Sequence, residues 1–499
     1  MNSAKKLLLL GGSIFDGILL DIDCGPDCED TAAIGLLNIF ANLGETNHLA
    51  DVVCITNQYS PGCVDAINTY YGNGSIPIGN NKGAEFLPGP GDYAQYISEN
   101  FSNDVSAASA EDSTAMYRRI LKMAKPKGIK IVLIGPCTTL ARFMAETDAT
   151  SLITAKVSEI IIMGGVFPTG TEWNFQQDPA SAEYVAVNSP VPVVYCGFEV
   201  GELVVALNTI TELASVSNPI SKAYELDLGL LTGRSAWDQL TVLYAVRGLV
   251  YAGTTYYTKV RGIITINSST GENTWEDDAS GNHYYLVKAQ TNAWYVSLLY
   301  NLIIVSQMKL NSIVSDTFTG DGSLDVHVPD LSASGGWTEN VGDWSISGNK
   351  LTVAASETGK NFATIDAAHA DVTVLADITM PASTKNIGLV ANYTDINNCW
   401  LLNIWGTAIS LYEVVAGTET SRKVLTKTFT VGQTYQIALK TSGDAIYFWV
   451  DDGLVQAYSV ADRSGKTETL HGIRIYKIAP GDEGTDTGST VDNFSIVPG

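Results

Sequence analysis

Positive charge is scarce in this chain. Its 499 residues include 29 lysines and arginines against 53 aspartates and glutamates, a formal net charge of −24, and only five histidines. Nucleic acids and anionic membrane surfaces attract basic patches, and none is visible here, so both are excluded as expected partners. Long apolar runs are also missing, since no segment reaches the roughly 20 residues of a membrane-spanning helix.

Cysteine is sparse and irregularly placed. Seven cysteines, an odd number, are scattered along the chain and do not form the dense framework of a small disulfide-rich scaffold. Most lie beside apolar runs and are predicted to be reduced core residues. Cys24 and Cys28 have no accompanying Cys or His pair, which argues against a zinc site.

The first ten residues resemble the opening of a signal peptide. The apolar stretch is broken by Gly11 and Gly12, however, and lacks a clean small-residue cleavage site. We therefore expect no cleaved signal, and the sequence leaves the location of the protein open.

An acidic cluster follows the apolar run 17–20. It places five carboxylates in ten residues: Asp21, Asp23, Asp27, Glu29 and Asp30. Like charges at that spacing resist being buried together, and a bound cation is the simplest way to keep them ionised. Oxygen ligands indicate calcium or magnesium.

The pattern around this cluster predicts a strand, a loop and a helix. The run 17–20 is typical of a short buried strand, and residues 31–40 carry apolar side chains at helical spacing. Asp21 and Asp23 then lie at the end of the strand, and Glu29 and Asp30 lie in the first turn of the helix. That crevice is where open α/β sheets bind ligands. Helix capping alone is an alternative, but it needs one or two acids, not five.

The length predicts two domains, and the texture of the sequence changes near residue 311. Before that point apolar strands alternate with helical patterns, which predicts an α/β domain over residues 1–312 with a mostly parallel, Rossmann-like sheet. After it, short alternating strands follow one another between turn residues. This predicts an all-β, antiparallel sandwich over residues 313–499.

Residues 16–310 resemble the inosine-uridine preferring nucleoside hydrolase family. The resemblance rests on the acidic cluster and on further short matches in the same order. These are Asn57, residues 63–72, residues 76–79, Ile134-Gly-Pro, residues 161–165, Glu172-Trp-Asn174, Asp178-Pro179, residues 197–201 and Trp237-Asp238-Gln239. It implies the nucleoside hydrolase fold and a ribonucleoside substrate, and the family's habit implies a homo-oligomer.

The resemblance also implies roles for particular residues. One Ca²⁺ would be held by Asp23, Asp30, the backbone carbonyl of Ile134, and Asp238, with Asp23 also acting as the general base. The ribose hydroxyls would be bound by Glu29, Asn57, Met163, Glu172 and Asn174.

Two positions depart from the family's better-known members: Trp237, and Glu29, which replaces an aspartate of the longest-studied forms. Trp237 stands where many members have a histidine that helps to protonate the leaving base, so it either stacks on the base or packs in the fold. His283 lies in a segment that also resembles the family, where it is either an alternative acid or a structural residue. Asp27 is an extra acid without an assigned role.

The second domain resembles the concanavalin A-like lectin and glucanase superfamily, which implies a jelly-roll sandwich. The carriers are residues 316–318 with Gly336-Trp337, residues 386–391 and residues 491–495. Trp344, Trp400 and Trp405 are either exposed rings that stack on sugars or core residues. By analogy with such appended modules, the expected partner is a glycan or a protein, in a cell-surface, extracellular or virion setting.

Three functions are compatible with the sequence. The first is a calcium-dependent nucleoside N-ribohydrolase that carries a binding module. The second is a structural or adhesion protein, for example a phage virion component, whose hydrolase domain is weak or inactive. The third, a magnesium phosphatase with an Asp-x-Asp nucleophile, requires a downstream lysine and a further acidic pair that the chain does not convincingly present. The intact acidic cluster favours the first.

Overall fold

The protein forms two compact units, Met1–Ile304 and Val305–Gly499. The computed structural model describes residues 15–89, 92–207, 210–213, 218–230, 232–305, 312–332, 334–353, 359–380, 386–405, 407–450, 456–459, 463–477 and 490–498. Residues 1–10 and residue 311, on which the expectations about a signal peptide and the domain boundary rest, lie outside these ranges.

Strands of the first unit are numbered in chain order. They are β1 Phe15–Ile22, β2 His48–Val53, β3 Ile78–Asn80, β4 Glu111–Asp112, β5 Ala124–Leu133, β6 Val157–Met163, β7 Thr169–Thr171, β8 Val193–Cys196, β9 Val205–Ala206, β10 Arg234–Ser235, β11 Val250–Tyr251, β12 Thr254–Thr255, β13 Tyr257–Ile266, β14 Glu272–Asp277 and β15 His283–Lys288.

One large sheet organises the first unit. Its strand order is β4-β3-β2-β1-β5-β6-β8-β15-β13-β14-β7. Pairing is parallel from β4 through β15 and antiparallel at β13, β14 and β7. The predicted α/β fold with a mostly parallel sheet is therefore confirmed. Because the central strands run the same way, their carboxyl ends meet at one edge, where a site can form.

Helices connect and cover the strands of this sheet. They span Glu29–Asn42, Ser60–Tyr70, Asp92–Asn100, Ser113–Met123, Thr138–Met144, Ala149–Lys156, Trp173–Gln177, Pro179–Asn188, Phe198–Gly201, Ile210–Leu213, Pro219–Leu228, Trp237–Arg247 and Asn292–Tyr300, with a π-helical turn at Asn301–Val305. Apolar side chains from the strands and from these helices form a shared core, which includes Leu19, Ile131, Phe143 and Tyr195. Burying that apolar area is the main stabilising contribution to such a fold.

The second unit consists of two antiparallel sheets. The larger contains Val314–Asp316, Gly322–Ser323, Leu331–Ser332, Trp344–Ser347, Lys350–Val353, Val372–Thr379, Thr434–Ser442, Ala445–Val450, Gln456–Ser459 and Thr490–Pro498. The other contains Thr338–Val341, Gly359–Asp366, Asn386–Asp395, Asn398–Trp405, Ala408–Val415, Thr418–Thr426 and Leu470–Lys477, and a 3₁₀ turn lies at Leu324–Val326. Side chains from both sheets share one apolar core, so the predicted β-sandwich class is confirmed.

Two of the tryptophans considered for sugar stacking belong to that core. Trp344 and Trp400 are each 0% exposed and pack within the sandwich. The interpretation of these two rings as exposed stacking surfaces is therefore wrong, because alternating strands direct every second side chain inward. The side chain of Trp405 lies outside the described residues.

All seven cysteines are free and buried, as predicted for reduced core residues. In the described ranges, no helix combines the length and the apolar character needed to cross a bilayer.

Candidate active site

A cavity of about 440 Å³ opens at the carboxyl ends of β1, β5, β6 and β8. Nine of the eleven residues predicted for the site line it. These are Asp23, Glu29, Asp30, Ile134, Met163, Glu172, Asn174, Trp237 and Asp238. The parallel sheet thus brings together residues that are more than 200 positions apart in the chain.

The acidic residues reach the cavity from two helix starts and one strand end. β1 ends at Ile22, and Asp23 follows directly. The next helix begins at Glu29, so Glu29 and Asp30 occupy its first turn, where the helix dipole favours negative charge. Asp238 lies in the first turn of the helix Trp237–Arg247.

A close approach fixes the position of Asp23. A Cβ atom added at Gly135 would lie 2.6 Å from Asp23 Oδ1, so only glycine lets the loop after β5 pack against this carboxylate. The structure therefore needs a residue without a side chain at position 135.

We call Asp23, Glu29, Asp30 and Asp238 the acidic group. All four are buried, with exposed fractions of 4% or less. Burial is the main cause that raises their pKa values well above the usual range, and the charges of neighbouring carboxylates raise them further. The Asp23 and Asp30 side chains are in hydrogen-bonding contact. Ionising all four acids at once would therefore place more negative charge here than the described residues around them neutralise.

The donor chemistry of the acidic group fits a hard divalent cation. All its potential ligands are oxygens, and Asp30 Oδ1 is buried without a hydrogen-bond partner among the described residues. Ile134 lines the same cavity, and its backbone oxygen accepts a hydrogen bond of 3.2 Å from Asn174 Nδ2. No three His, Cys, Asp or Glu side chains in the described ranges are arranged as a ready-made metal site. The fit rests on donor type and uncompensated charge, since the carboxylates do not form a closed ligand cage.

Polar residues in another part of the cavity wall are held by the backbone. Glu172 caps the helix Trp173–Gln177, because its carboxylate accepts hydrogen bonds from the backbone N–H groups of Asn174 at 2.7 Å and Phe175 at 3.2 Å. Burial raises the pKa of Glu172 to about 7. The Asn174 amide also donates to the Met163 carbonyl at 3.2 Å. These contacts give the wall a fixed shape.

Two predicted site residues do not belong to the cavity lining, as far as the described residues form it. Asn57 is buried, with its amide donating to the Gly89 carbonyl and its oxygen accepting from the Tyr59 backbone N–H at 2.8 Å. His283 accepts from the Ile264 backbone N–H at Nδ1 and contacts the Ala186 carbonyl through Nε2, each at 3.1 Å. With both ring nitrogens occupied by the backbone, His283 gains no support as an acid.

Trp237 has a fixed position at the cavity. Its indole N–H donates to the Phe198 carbonyl at 2.8 Å, and its ring stacks on the Phe198 ring with centroids 5.3 Å apart. Its backbone N–H donates to Glu29 Oε2 at 3.2 Å. The residue is therefore tied both to the acidic group and to an aromatic neighbour.

Sequence reasoning missed four notable lining residues. These are Trp173, Phe198, Asp227 and Arg234. Trp173 and Phe198 stand inside motifs that were already singled out, so their positions were a usable signal. For Arg234 the only signal in the sequence was its position, three residues before Trp237. Arg234 forms an ion pair with Asp27, with Nη2 2.7 Å from Oδ2, which gives the unassigned extra acid a partner.

Comparison with known protein families decides the class of this chain. The model for the inosine-uridine preferring nucleoside hydrolase family matches residues 18–293, more than half of the chain. The chain belongs to this family. Family membership supports a hydrolase that acts on N-glycosyl bonds, and nucleoside hydrolases are typically metal-dependent. No curated protein matched the chain.

Several solved structures are similar to parts of the chain. A plant nucleoside hydrolase, PpNRh1, is 15% identical, with 58% of this chain and 99% of that chain covered and a TM-score of 0.44. The purine-preferring ribonucleoside hydrolase from Gardnerella vaginalis is 18% identical, with 57% and 96% covered and a TM-score of 0.45. The carbohydrate binding module CBM66 from Bacillus subtilis is 16% identical, with 32% and 94% covered and a TM-score of 0.26.

Proposed function

We propose that the first unit is a calcium-dependent nucleoside N-ribohydrolase, which converts a ribonucleoside and water to ribose and a free base. The observation that carries the proposal is the acidic group, buried in one cavity within the part of the chain that matches the nucleoside hydrolase family. Glu172 and Asn174 in the lining of the same cavity supply polar groups suited to a sugar. Calcium dependence, the substrate and the residue roles below are parts of this proposal.

The cation would be held by Asp23, Asp30, Asp238 and the Ile134 carbonyl. When bound, it would supply positive charge that keeps the carboxylates ionised at neutral pH and polarises a water molecule.

Asp23 is the general base of the proposed reaction. It takes a proton from water as the water oxygen forms a bond to C1′ and the C1′–N bond breaks. The electron pair of that bond leaves with the base, which then takes up a proton. The sugar develops positive charge on the way, and buried carboxylates around it stabilise that charge.

Hydroxyl recognition follows from the same cavity. Glu29, Glu172 and Asn174 would bind the ribose hydroxyls, with Met163 in the same lining. The ribose-binding role of Asn57 stays a prediction, since the described lining does not include it. A deoxyribose would leave these buried polar groups unpaired, so ribonucleosides are the expected substrates. The role of the second unit in binding a glycan or another protein, and a homo-oligomeric state, stay predictions.

Release of free ribose from inosine, uridine, adenosine and guanosine tests the proposal. The full-length protein is assayed with calcium, with a chelator, and as the Asp23→Asn variant. Ribose release that needs calcium and disappears in the variant is the expected result. Absence of turnover on all four nucleosides, with calcium bound, overturns the proposal and favours a binding or structural role.

A further inference from the structure

The leaving base has no histidine to assist it at the usual place in this chain, and the following inference rests on the proposed function. Trp237 occupies that position, and its indole N–H already donates to the Phe198 carbonyl at 2.8 Å. That proton is therefore not available to a base. Another group must compensate for the electron pair that a nucleobase takes with it when the C1′–N bond breaks.

An aromatic surface lies on the lining where a base can stack. The Phe198 and Trp237 rings are stacked at an interplanar angle of 29°. Gly201 permits this packing, because a Cβ there would come within 2.5 Å of the Trp237 ring. Trp173, 42% exposed, belongs to the same lining. A planar, apolar face is what a nucleobase needs on one side.

Arg234 is the one basic side chain among the described residues of the lining. Its guanidinium lies over the Trp237 ring, 5.7 Å from the centroid. Its side chain is 32% exposed, while its Nε is buried and has no hydrogen-bond partner in the described structure. The Arg234 guanidinium therefore lies at the aromatic surface and has an Nε–H group without an acceptor in the described structure.

The surroundings of Arg234 keep it charged. Burial opposes the charged form, but the charges of Asp27 and Glu29 outweigh this effect and raise the pKa of Arg234 above its usual value. It cannot serve as a proton donor, so its contribution has to be made through hydrogen bonds and charge. Asp27, by holding Nη2 at 2.7 Å, orients the guanidinium and is a positioning residue.

We propose that Arg234 binds the leaving base, donating hydrogen bonds to the acceptor edge of a 6-oxopurine such as hypoxanthine or guanine. As the C1′–N bond breaks, its electron pair passes to the purine ring, and the guanidinium stabilises the resulting negative charge while keeping all its protons. The purine then takes its proton from solvent. O6 and N7 of a 6-oxopurine match the fork of an arginine, whereas adenine presents a donor in place of O6.

A leaving-group comparison tests this role in the full-length enzyme. Inosine, adenosine and p-nitrophenyl β-D-riboside are compared for the wild type, Arg234→Met and Arg234→Lys. Nitrophenolate leaves without assistance, so the proposal expects Arg234→Met to lower kcat for inosine about 100-fold, and kcat for the nitrophenyl riboside less than about fivefold. The kcat of Arg234→Lys for inosine should lie between those of the wild type and Arg234→Met. The preference for inosine over adenosine should shrink in both variants.

The matched control is Arg119→Met. Arg119 forms a similarly exposed ion pair, 2.8 Å from Glu111, with a side chain 37% exposed, and it does not line the cavity. Equal losses on inosine and the nitrophenyl riboside in Arg234→Met, or no loss on inosine, would overturn the role of Arg234. A wild type that cleaves only the nitrophenyl riboside also overturns it, because no base is then being assisted. A wild type that cleaves none of these substrates instead contradicts the proposed function itself.

Discussion

The buried carboxylate of Asp316 in the second unit has a donor at each oxygen, whereas that of Asp30 in the first unit has an oxygen with none. Asp316 accepts from the Phe318 backbone N–H at 2.7 Å, from Trp337 Nε1 at 2.7 Å and contacts His327 Nε2 at 2.9 Å. Asp30 Oδ1 has no partner among the described residues. All buried carboxylate oxygens without a partner in the described ranges lie in the first unit, on Asp21, Asp30, Asp65 and Glu199.

The difference separates two uses of buried charge. A carboxylate with all its hydrogen bonds made stabilises one packing arrangement, and nothing further needs to bind it. A group of carboxylates without compensation lowers stability until a ligand supplies the missing charge. Asp316 in the second unit is a carboxylate with its hydrogen bonds made. The acidic group of the first unit is a set of carboxylates without compensation.

Neutralising one carboxylate in each unit should change the stability of that unit in opposite directions. Asp23→Asn is expected to lower kcat for ribose release by about 10²- to 10⁴-fold, because the proposed general base is lost. In a chelator it should stabilise the first unit by about 1–4 kcal/mol, because a buried like charge is removed. Asp316→Asn should destabilise the second unit by about 1–3 kcal/mol and leave kcat per folded molecule unchanged.

Urea unfolding of both full-length variants, followed alongside ribose release, measures these effects. The transition that shifts in Asp316→Asn identifies the second unit. A loss of stability in Asp23→Asn without calcium, as large as that in Asp316→Asn, would contradict the contrast between the two carboxylates.

Calcium should stabilise one unit only. At a free concentration 1,000 times its dissociation constant, the ion is expected to raise the free energy of unfolding of the first unit by about 4 kcal/mol. The unfolding transition of the second unit should not shift with calcium, because the oxygens of its buried Asp316 are already occupied by donors. Differential scanning calorimetry with calcium and with a chelator measures both transitions, and Asp30→Asn serves as the control in which the shift is reduced. Equal stabilisation of both transitions would argue against a site in the acidic group.

Stability should depend on pH in opposite directions at Glu172 and His471. Burial raises the pKa of Glu172 from 4.5 to about 7, so its contribution is complete below pH 4.5 and is lost as pH rises towards 7. Burial lowers the pKa of His471 from 6.5 to about 4, so its contribution is complete above pH 6.5 and is lost as pH falls towards 4. Each amounts to on the order of 3 kcal/mol, since one pKa unit corresponds to about 1.4 kcal/mol.

Unfolding of the wild type, Glu172→Gln and His471→Gln between pH 4 and 8 in a chelator tests both signs. Relative to the wild type, Glu172→Gln should gain stability as pH rises, and His471→Gln should lose it. A flat difference for either variant means that its group titrates alike in the folded and unfolded chains.

The fold class and the acids after β1 could be predicted from local sequence patterns, whereas the other predicted residues of the lining came from the resemblance to the nucleoside hydrolase family. The run 17–20 followed by Asp23 marks a strand end, and Glu29 and Asp30 mark a helix start. Parallel strands then bring such ends to one edge of the sheet.

The sequence predicts less where packing decides the outcome. Trp344 has the same local signal whether it points inward or outward, and only the sandwich core fixes its direction. His283 is directed to backbone partners by its register in β15. Arg234 gave almost no signal, because its partner Asp27 is 207 residues away in the chain.

Removing one tryptophan N–H group in each unit tests the contrast between the units with the smallest expected effects. Trp337→Phe removes a donor from the buried Asp316 carboxylate, so the second unit should lose about 1–3 kcal/mol of stability. Trp237→Phe removes a donor from the Phe198 carbonyl, a neutral group at the edge of a cavity, so the first unit should lose only about 1 kcal/mol. Because the phenyl ring still stacks on Phe198, KM for inosine should rise about threefold with kcat little changed, the size of effect that about 0.6 kcal/mol produces. Urea unfolding and steady-state kinetics measure both quantities. A larger stability loss in Trp237→Phe than in Trp337→Phe would show that the bond to the Phe198 carbonyl stabilises the fold more than the bond to the Asp316 carboxylate. That result would contradict the contrast between the units.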